Sequence, residues 1–302
     1  MRDYGITLPY FIIYILIGVI SLSIGVVSII YATYFLIGVS LFWFVVVSSV
    51  EEQEQIEVVI KKNIYVFTLL IFLLASIFRI PSIVLLDFPL EKAAIFFLAT
   101  SVLITLGFSG KKIGVSTENF VYQLVFGLAL GLLFPSIYYL FVFLIGGFFG
   151  SWYMYFDVYI FVLWLPFYLS VGLGEEGLFR ALIERLTIIA SNNYKKGLIW
   201  ASFLFGIWHV YWYITNFNIL AMIAHVVFAF LFGLLLGIIY EKLNSLIVVA
   251  TIHGLWDAFA ASVIVLGFKI TSAIAAVVVF YIVAFIIVFL LKRMWVPLLT
   301  EK

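Results

Sequence analysis

The chain has 302 residues, of which 67% are apolar, 20% aromatic and only 10% charged, and its mean hydropathy of +1.30 is far from the roughly half-apolar mixture of a water-soluble domain. A net charge of +1 with no basic tract gives no electrostatic footprint for nucleic acid, and the absence of cysteine excludes disulfides, thiolate metal sites and cysteine nucleophiles together. These limits predict an all-α, polytopic transmembrane helical bundle whose surrounding partner is the lipid bilayer.

In chain order, residues 4–50 carry no charged side chain, enough for two helices of about 20 residues each, near 8–27 and 31–50. The opening MRDYGITLPYF is not followed by a small-residue cleavage signal after its first apolar run, so that run reads as a retained span. The polar stretch 51–63 reads as a connector. Further spans are expected near 64–85, 93–109, 120–149, 158–189, 198–215, 218–240, 246–267 and 270–291, about ten in all. The runs 120–149 and 158–189 exceed one upright crossing, which calls for tilt, an interfacial end, or a kink at Pro135 or Pro166. Glycines four apart at Gly127 and Gly131, Gly146 and Gly150, and Gly233 and Gly237 would let helices approach closely, although this signal is weak in a glycine-containing apolar chain.

The basic residues sort by side. Arg2, Lys61, Lys62, Lys111, Lys112, Arg185, Lys195, Lys196, Lys242, Lys292, Arg293 and Lys302 fall on the side of the amino terminus, and only Arg79, Lys92 and Lys269 on the other. Because cytoplasmic loops collect Lys and Arg, the asymmetry predicts a multi-pass protein of the cell membrane with both termini cytoplasmic.

Charge inside a span costs a few kcal/mol, so each such group calls for a reason. The expected spans of the carboxyl-terminal half hold GEEGLFR at 174–180, FGIWH at 205–209 and HGLWD at 253–257. On a helix, Glu176 and Arg180 stand four apart with the acid first, the better orientation for an ion pair. Glu175 is turned about 100° from its neighbour and reads as the free carboxylate, a candidate general base in apolar surroundings. His253 and Asp257 share a face, so Asp257 could orient the imidazole. His209 lies four residues after Phe205, whose ring is expected beside it. His225 has no polar companion at helical spacing and reads as a structural core residue. Glu175, His209, His253 and Asp257 could also hold a divalent metal such as zinc, or could hold a water by hydrogen bonds. Ser170 lies at no nucleophile elbow, and Thr251 reads as a hydroxyl bonded to its own helix.

EEGLFR, FGIWH and HGLWD, in that order, resemble the signature of the CPBP family, the CAAX proteases and bacteriocin-processing enzymes, also called the Abi family: EExxxR, FxxxH, then HxxxN or HxxxD. The resemblance covers residues 155–267. It implies an intramembrane endopeptidase in which Glu175 and His209 activate the attacking water while His253 and Asp257 stabilise the oxyanion, with Glu176, Arg180 and Phe205 in support. Asn is frequent at the last position among prenyl-protein endopeptidases. An amide can donate to an oxyanion and an ionised carboxylate cannot, so Asp257 must be protonated, orient His253 or bind a metal. The implied partner is a peptide or lipidated protein, such as a prenylated chain losing its last three residues. The expected division is 1–150, amino-terminal transmembrane helices of unknown role, and 151–302, the peptidase core. Two other classes fit the same polar groups: a proton- or ion-coupled transporter using Glu175, His209 and His253 as a relay, and a noncatalytic membrane scaffold. The concentration of polar groups in one half favours the peptidase.

Overall fold

The computed structural model describes residues 58–85, 88–115, 119–149, 153–266 and 270–300; the two spans expected within 8–50 lie outside them. In chain order the helices are α1 (Val58–Lys62), α2 (Ile64–Leu85), α3 (Phe88–Thr105), α4 (Phe120–Phe149), α5 (Val158–Glu176), α6 (Arg185–Ser191), α7 (Tyr194–Trp208), α8 (Ile219–Leu243), α9 (Leu246–Ser262) and α10 (Ile270–Thr300). A π-helical stretch, Gly177–Glu184, joins α5 to α6 without a break, and His209–Tyr213 continues α7 as a tight 3-10 turn.

Short polar residues open the core helices. The side chains of Asp157, Asn193, Asn218 and Ser245 accept from the backbone N–H groups of Ile160, Lys196, Ala221 and Val248, satisfying donors that the first helical turn leaves open. Asn192 and Asn244 close α6 and α8 in the left-handed conformation, which Asn tolerates better than most residues.

Among the described residues, four helices are long and apolar enough to cross a membrane: Phe120–Gly146, Val158–Ser191, Ile219–Leu243 and Ser272–Leu290. Together with shorter apolar helices at Ile64–Ile80, Ala94–Thr105 and Leu246–Ser262, they describe a predominantly helical integral membrane protein. The expected spans therefore need correction in two places. The run expected to end at 267 leaves the helix after Ser262, and Val263–Leu266 pairs antiparallel with Tyr153–Phe156. Both strands are rich in β-branched or aromatic residues and alternate in exposure, the pattern of a pleated ribbon, a small addition to a predominantly helical fold. The run expected over 198–215 is helical only to Trp208 and then tightens at His209. Pro135 and Pro166 both lie inside helices that continue past them.

α9 is the hub, packed on α5 and α4, while α8 lies on α7 and α10 on α4. At the α5–α9 crossing the backbones touch. A Cβ on Gly172 would stand 2.1 Å from the carbonyl oxygen of Ala250, and one on Gly254 would stand 2.6 Å from Leu169 Cα. Glycine alone allows this approach, and it places the end of α5 beside the middle of α9.

Candidate active site

The site is built on that crossing. Glu175 and Glu176 end α5, His253 and Asp257 lie on α9, and all but Asp257 are buried. The sequence-expected ion pair is present: Arg180 Nε donates to Glu176 Oε2 at 2.9 Å. Arg180 Nη1 also donates to Glu184 Oε2 at 2.9 Å, so one guanidinium sits between two carboxylates. Gly237 makes room for this, since a Cβ there would come within 2.7 Å of Glu184.

Glu176 has a second task that its sequence spacing does not show. Its Oε1 lies 2.8 Å from His253 Nδ1. A carboxylate paired with arginine is an acceptor, so Nδ1 carries the proton and donates. His253 is thus oriented by Glu176. Asp257, for which orienting this ring is one of the readings left open by the sequence, is 3.5 Å from the other nitrogen, Nε2, beyond an ordinary hydrogen bond. The Asp257 side chain is 29% exposed where those of Glu175 and His253 are 4% and 3%, so Asp257 marks the open edge of the cluster.

The expectation that Glu175 is free does not hold. It has no partner on its own helix, but other helices supply several. Oε1 accepts from Lys92 Nζ, on α3, and from Trp208 Nε1, on α7, at 3.1 Å, with Arg79 Nη1, on α2, at 3.7 Å. Oε2 faces His253 Nε2 at 3.9 Å. Arg79 in turn donates to Glu91 at 2.6 Å and Lys92 to the same Oε1 of Glu91 at 2.9 Å. The Arg79 guanidinium lies over the rings of Trp208 and Trp212, 4.9 and 5.0 Å from their centroids, a cation–π arrangement. Arg79, Glu91, Lys92 and Trp208 were not singled out from the sequence. Arg79 and Lys92 were counted as loop charges, yet they are 1% and 4% exposed. The available signal was the cost of charge within or beside an apolar run.

His209 begins the turn after α7. Its Nδ1 lies 2.8 Å from the carbonyl of Phe205, which can only accept, so Nδ1 is protonated and the lone pair is on Nε2. The Phe205 ring stands edge-on to both His209 and His253, with centroids 4.9 and 5.5 Å away. His225, read from the sequence as a core residue without companions, is half-buried, lies 4.8 Å from the His209 ring and places Nδ1 3.3 Å from the Tyr213 hydroxyl. Ser170 and Thr251 donate to the carbonyls of Pro166 and Ile247 within their own helices.

Among the described residues, no three His, Asp or Glu side chains converge as a metal-ligand set. The group nearest the carboxylate of Glu175 is the ammonium of Lys92, a cation where a ligand shell would place its ion.

No curated protein and no solved structure matches the chain. Residues 157–259 match the family described as Rce1-like, type II CAAX prenyl endopeptidase. That stretch runs from the cap of α5 to the last turns of α9, and it holds the glutamate pair, all three imidazoles and Asp257. Over that segment, built around Glu175 and His253, the chain is similar to the CAAX protease family.

Proposed function

We propose that the protein is an intramembrane endopeptidase that hydrolyses a peptide bond at or within the bilayer with a water activated by Glu175 and His209. The observation that carries this reading is the asymmetry of Glu175: Oε1 is held by Lys92 and Trp208, while Oε2 faces His253 Nε2 at 3.9 Å. A contact of that length is one a water can mediate. Glu175 Oε2 takes the proton of the attacking water as its oxygen adds to the scissile carbonyl carbon. His209, with its lone pair on Nε2, accepts the second hydrogen of that water and orients it. The oxyanion that forms is met by His253, which enters the cycle as an imidazolium between the carboxylates of Glu176 and Asp257, so that its Nε2–H donates to the oxyanion and stays on the ring throughout. Collapse of the tetrahedral intermediate breaks the C–N bond. The proton held by Glu175 passes to the departing nitrogen, giving a carboxylic acid and an amine.

Likeness to the type II CAAX prenyl endopeptidases points to a substrate cut near the carboxyl terminus of a prenylated chain, and the bilayer setting suits a lipidated or otherwise membrane-associated polypeptide. On this reading the protein lies in the cell membrane with both termini cytoplasmic, as the distribution of Lys and Arg suggests, and residues 151–302 form the peptidase core beside the helices of 1–150.

The test is cleavage of a fluorogenic peptide carrying a farnesylated cysteine followed by three residues, by the purified full-length protein in detergent. Glu175→Gln removes the base while keeping shape, and turnover is expected to fall at least about 100-fold. Full turnover by a folded Glu175→Gln protein overturns the reading. Solute uptake into proteoliposomes without any cleavage supports the transporter instead.

A further inference from the structure

We propose that Lys92, aided by Arg79 and Trp208, is a positioning residue of the active site: it holds one oxygen of Glu175 as an ionised anchor and so leaves the other oxygen to meet the water. The inference rests on the reading of Glu175 as the base, and it places part of the active site outside the family segment 157–259.

The argument begins from charge. A carboxylate accepts a proton from water only while it is ionised, and an ionised carboxylate in an apolar interior needs a counter-charge and hydrogen bonds. No residue on the helix of Glu175 supplies either, because Arg180 is taken by Glu176 and Glu184. Lys92 supplies both from α3, 83 residues earlier in the chain.

Geometry adds direction. The cations and the indole N–H all address Oε1, so the carboxylate is fixed about its own axis with Oε2 toward His253 and Asp257. A counter-ion bridging both oxygens would neutralise the base and also block it. The cations are themselves anchored. Arg79 and Lys92 share Oε1 of Glu91, and the Arg79 guanidinium is flanked by Trp208 and Trp212. Two cations and two carboxylates leave the group of Arg79, Glu91, Lys92 and Glu175 with no formal net charge, which makes its burial tolerable.

The test uses the full-length protein and the farnesylated fluorogenic peptide. Lys92→Gln is expected to lower kcat roughly 100-fold, the penalty typical of a misplaced catalytic group, with KM changed by less than about threefold because the lysine does not touch substrate. Lys92→Arg restores the charge and is expected to recover at least about tenfold of that loss, while Trp208→Phe, which removes one donor to Oε1, lowers kcat about tenfold. In the Glu175→Gln background Lys92→Gln is expected to lower the residual rate no further. Full kcat in a folded Lys92→Gln protein while Glu175→Gln is inactive overturns the inference and spares the base. A folded Lys92→Arg protein as impaired as Lys92→Gln also overturns it, since it assigns the lysine to packing. Activity retained by Glu175→Gln overturns the base reading itself. If Lys92→Gln does not fold, Trp208→Phe decides: unchanged kcat rejects the positioning role.

Discussion

Glu176 is the residue on which most of the buried polar structure turns, because one of its oxygens holds Arg180 and the other holds His253. Replacing it by Gln leaves Arg180 with the Glu184 carboxylate and weakens the 2.8 Å hydrogen bond that orients the imidazole. Breaking one member of a buried ionic cluster costs about 3–5 kcal/mol, so Glu176→Gln is expected to lower the thermal unfolding midpoint of the purified protein as well as its activity. A midpoint unchanged in Glu176→Gln would refute this. For Asp257 the expectation is opposite. It does not orient His253, and it lies at the open edge, where an amide can donate to an oxyanion. Asp257→Asn is expected to retain or raise kcat, and a tenfold loss would show that the carboxylate is required. The Glu176–Arg180 pair was legible because helical spacing of four is local. The Lys92–Glu175 pair was not, because nothing in the spacing of residues 83 apart says that two helices will meet, and a lysine next to an apolar run looks the same whether it faces water or a buried acid.

At the scale of the element, the α5–α9 crossing sets the distance between base and imidazole. Gly172→Ala would drive a methyl carbon against the Ala250 carbonyl, 2.1 Å away, and backbone has no rotamer with which to yield. Overpacking of this kind costs about 3 kcal/mol or more, read as a fall in the unfolding midpoint with loss of turnover; a variant as stable and active as the parent would mean that the crossing is not held this tightly. Helix starts were the more legible feature. Ser, Asp and Asn ahead of apolar runs are physical stop signs, and α5 and α9 begin at Val158 and Leu246, where the expected spans begin. Helix ends were less legible. Hydropathy does not distinguish Val263–Leu266 as strand from the apolar helix before it, because the strand depends on Tyr153–Phe156, more than a hundred residues earlier. The π-helical stretch after Glu176 is likewise invisible in a pattern read with 3.6 residues per turn.

For the whole molecule, the exposed face of α10 repeats Ile274, Val278, Ile282, Ile286 and Leu290, a helical stripe of apolar surface that lipid covers and water would not. The loop charges collect at one end of the bundle: Asn244 donates to the Lys111 carbonyl at 3.1 Å, Arg185 donates to Asn244, and α1 with Lys61 and Lys62 packs against α6. The chain has no cysteine, so single thiols at Lys62→Cys, Lys196→Cys and Lys242→Cys in sealed vesicles are all expected to react with an impermeant maleimide from the same side, and a split among them would reject the common-face arrangement. At the other end, the ribbon has a topological consequence. Tyr153–Phe156 pairs with Val263–Leu266, and the Asp157 N–H donates to the Ser262 carbonyl at 2.8 Å, so the two ends of the segment that carries the motifs are sewn together. That segment is a ring of helices interrupted once, and the ring does not depend on where the interruption lies. A permuted segment joined across the ribbon and opened at the Asn192–Asn193 turn would keep the contacts among Glu175, Glu176, His209 and His253 while reversing the order in which they are synthesised, and only the contacts from Arg79 and Lys92 would have to come from helices outside it.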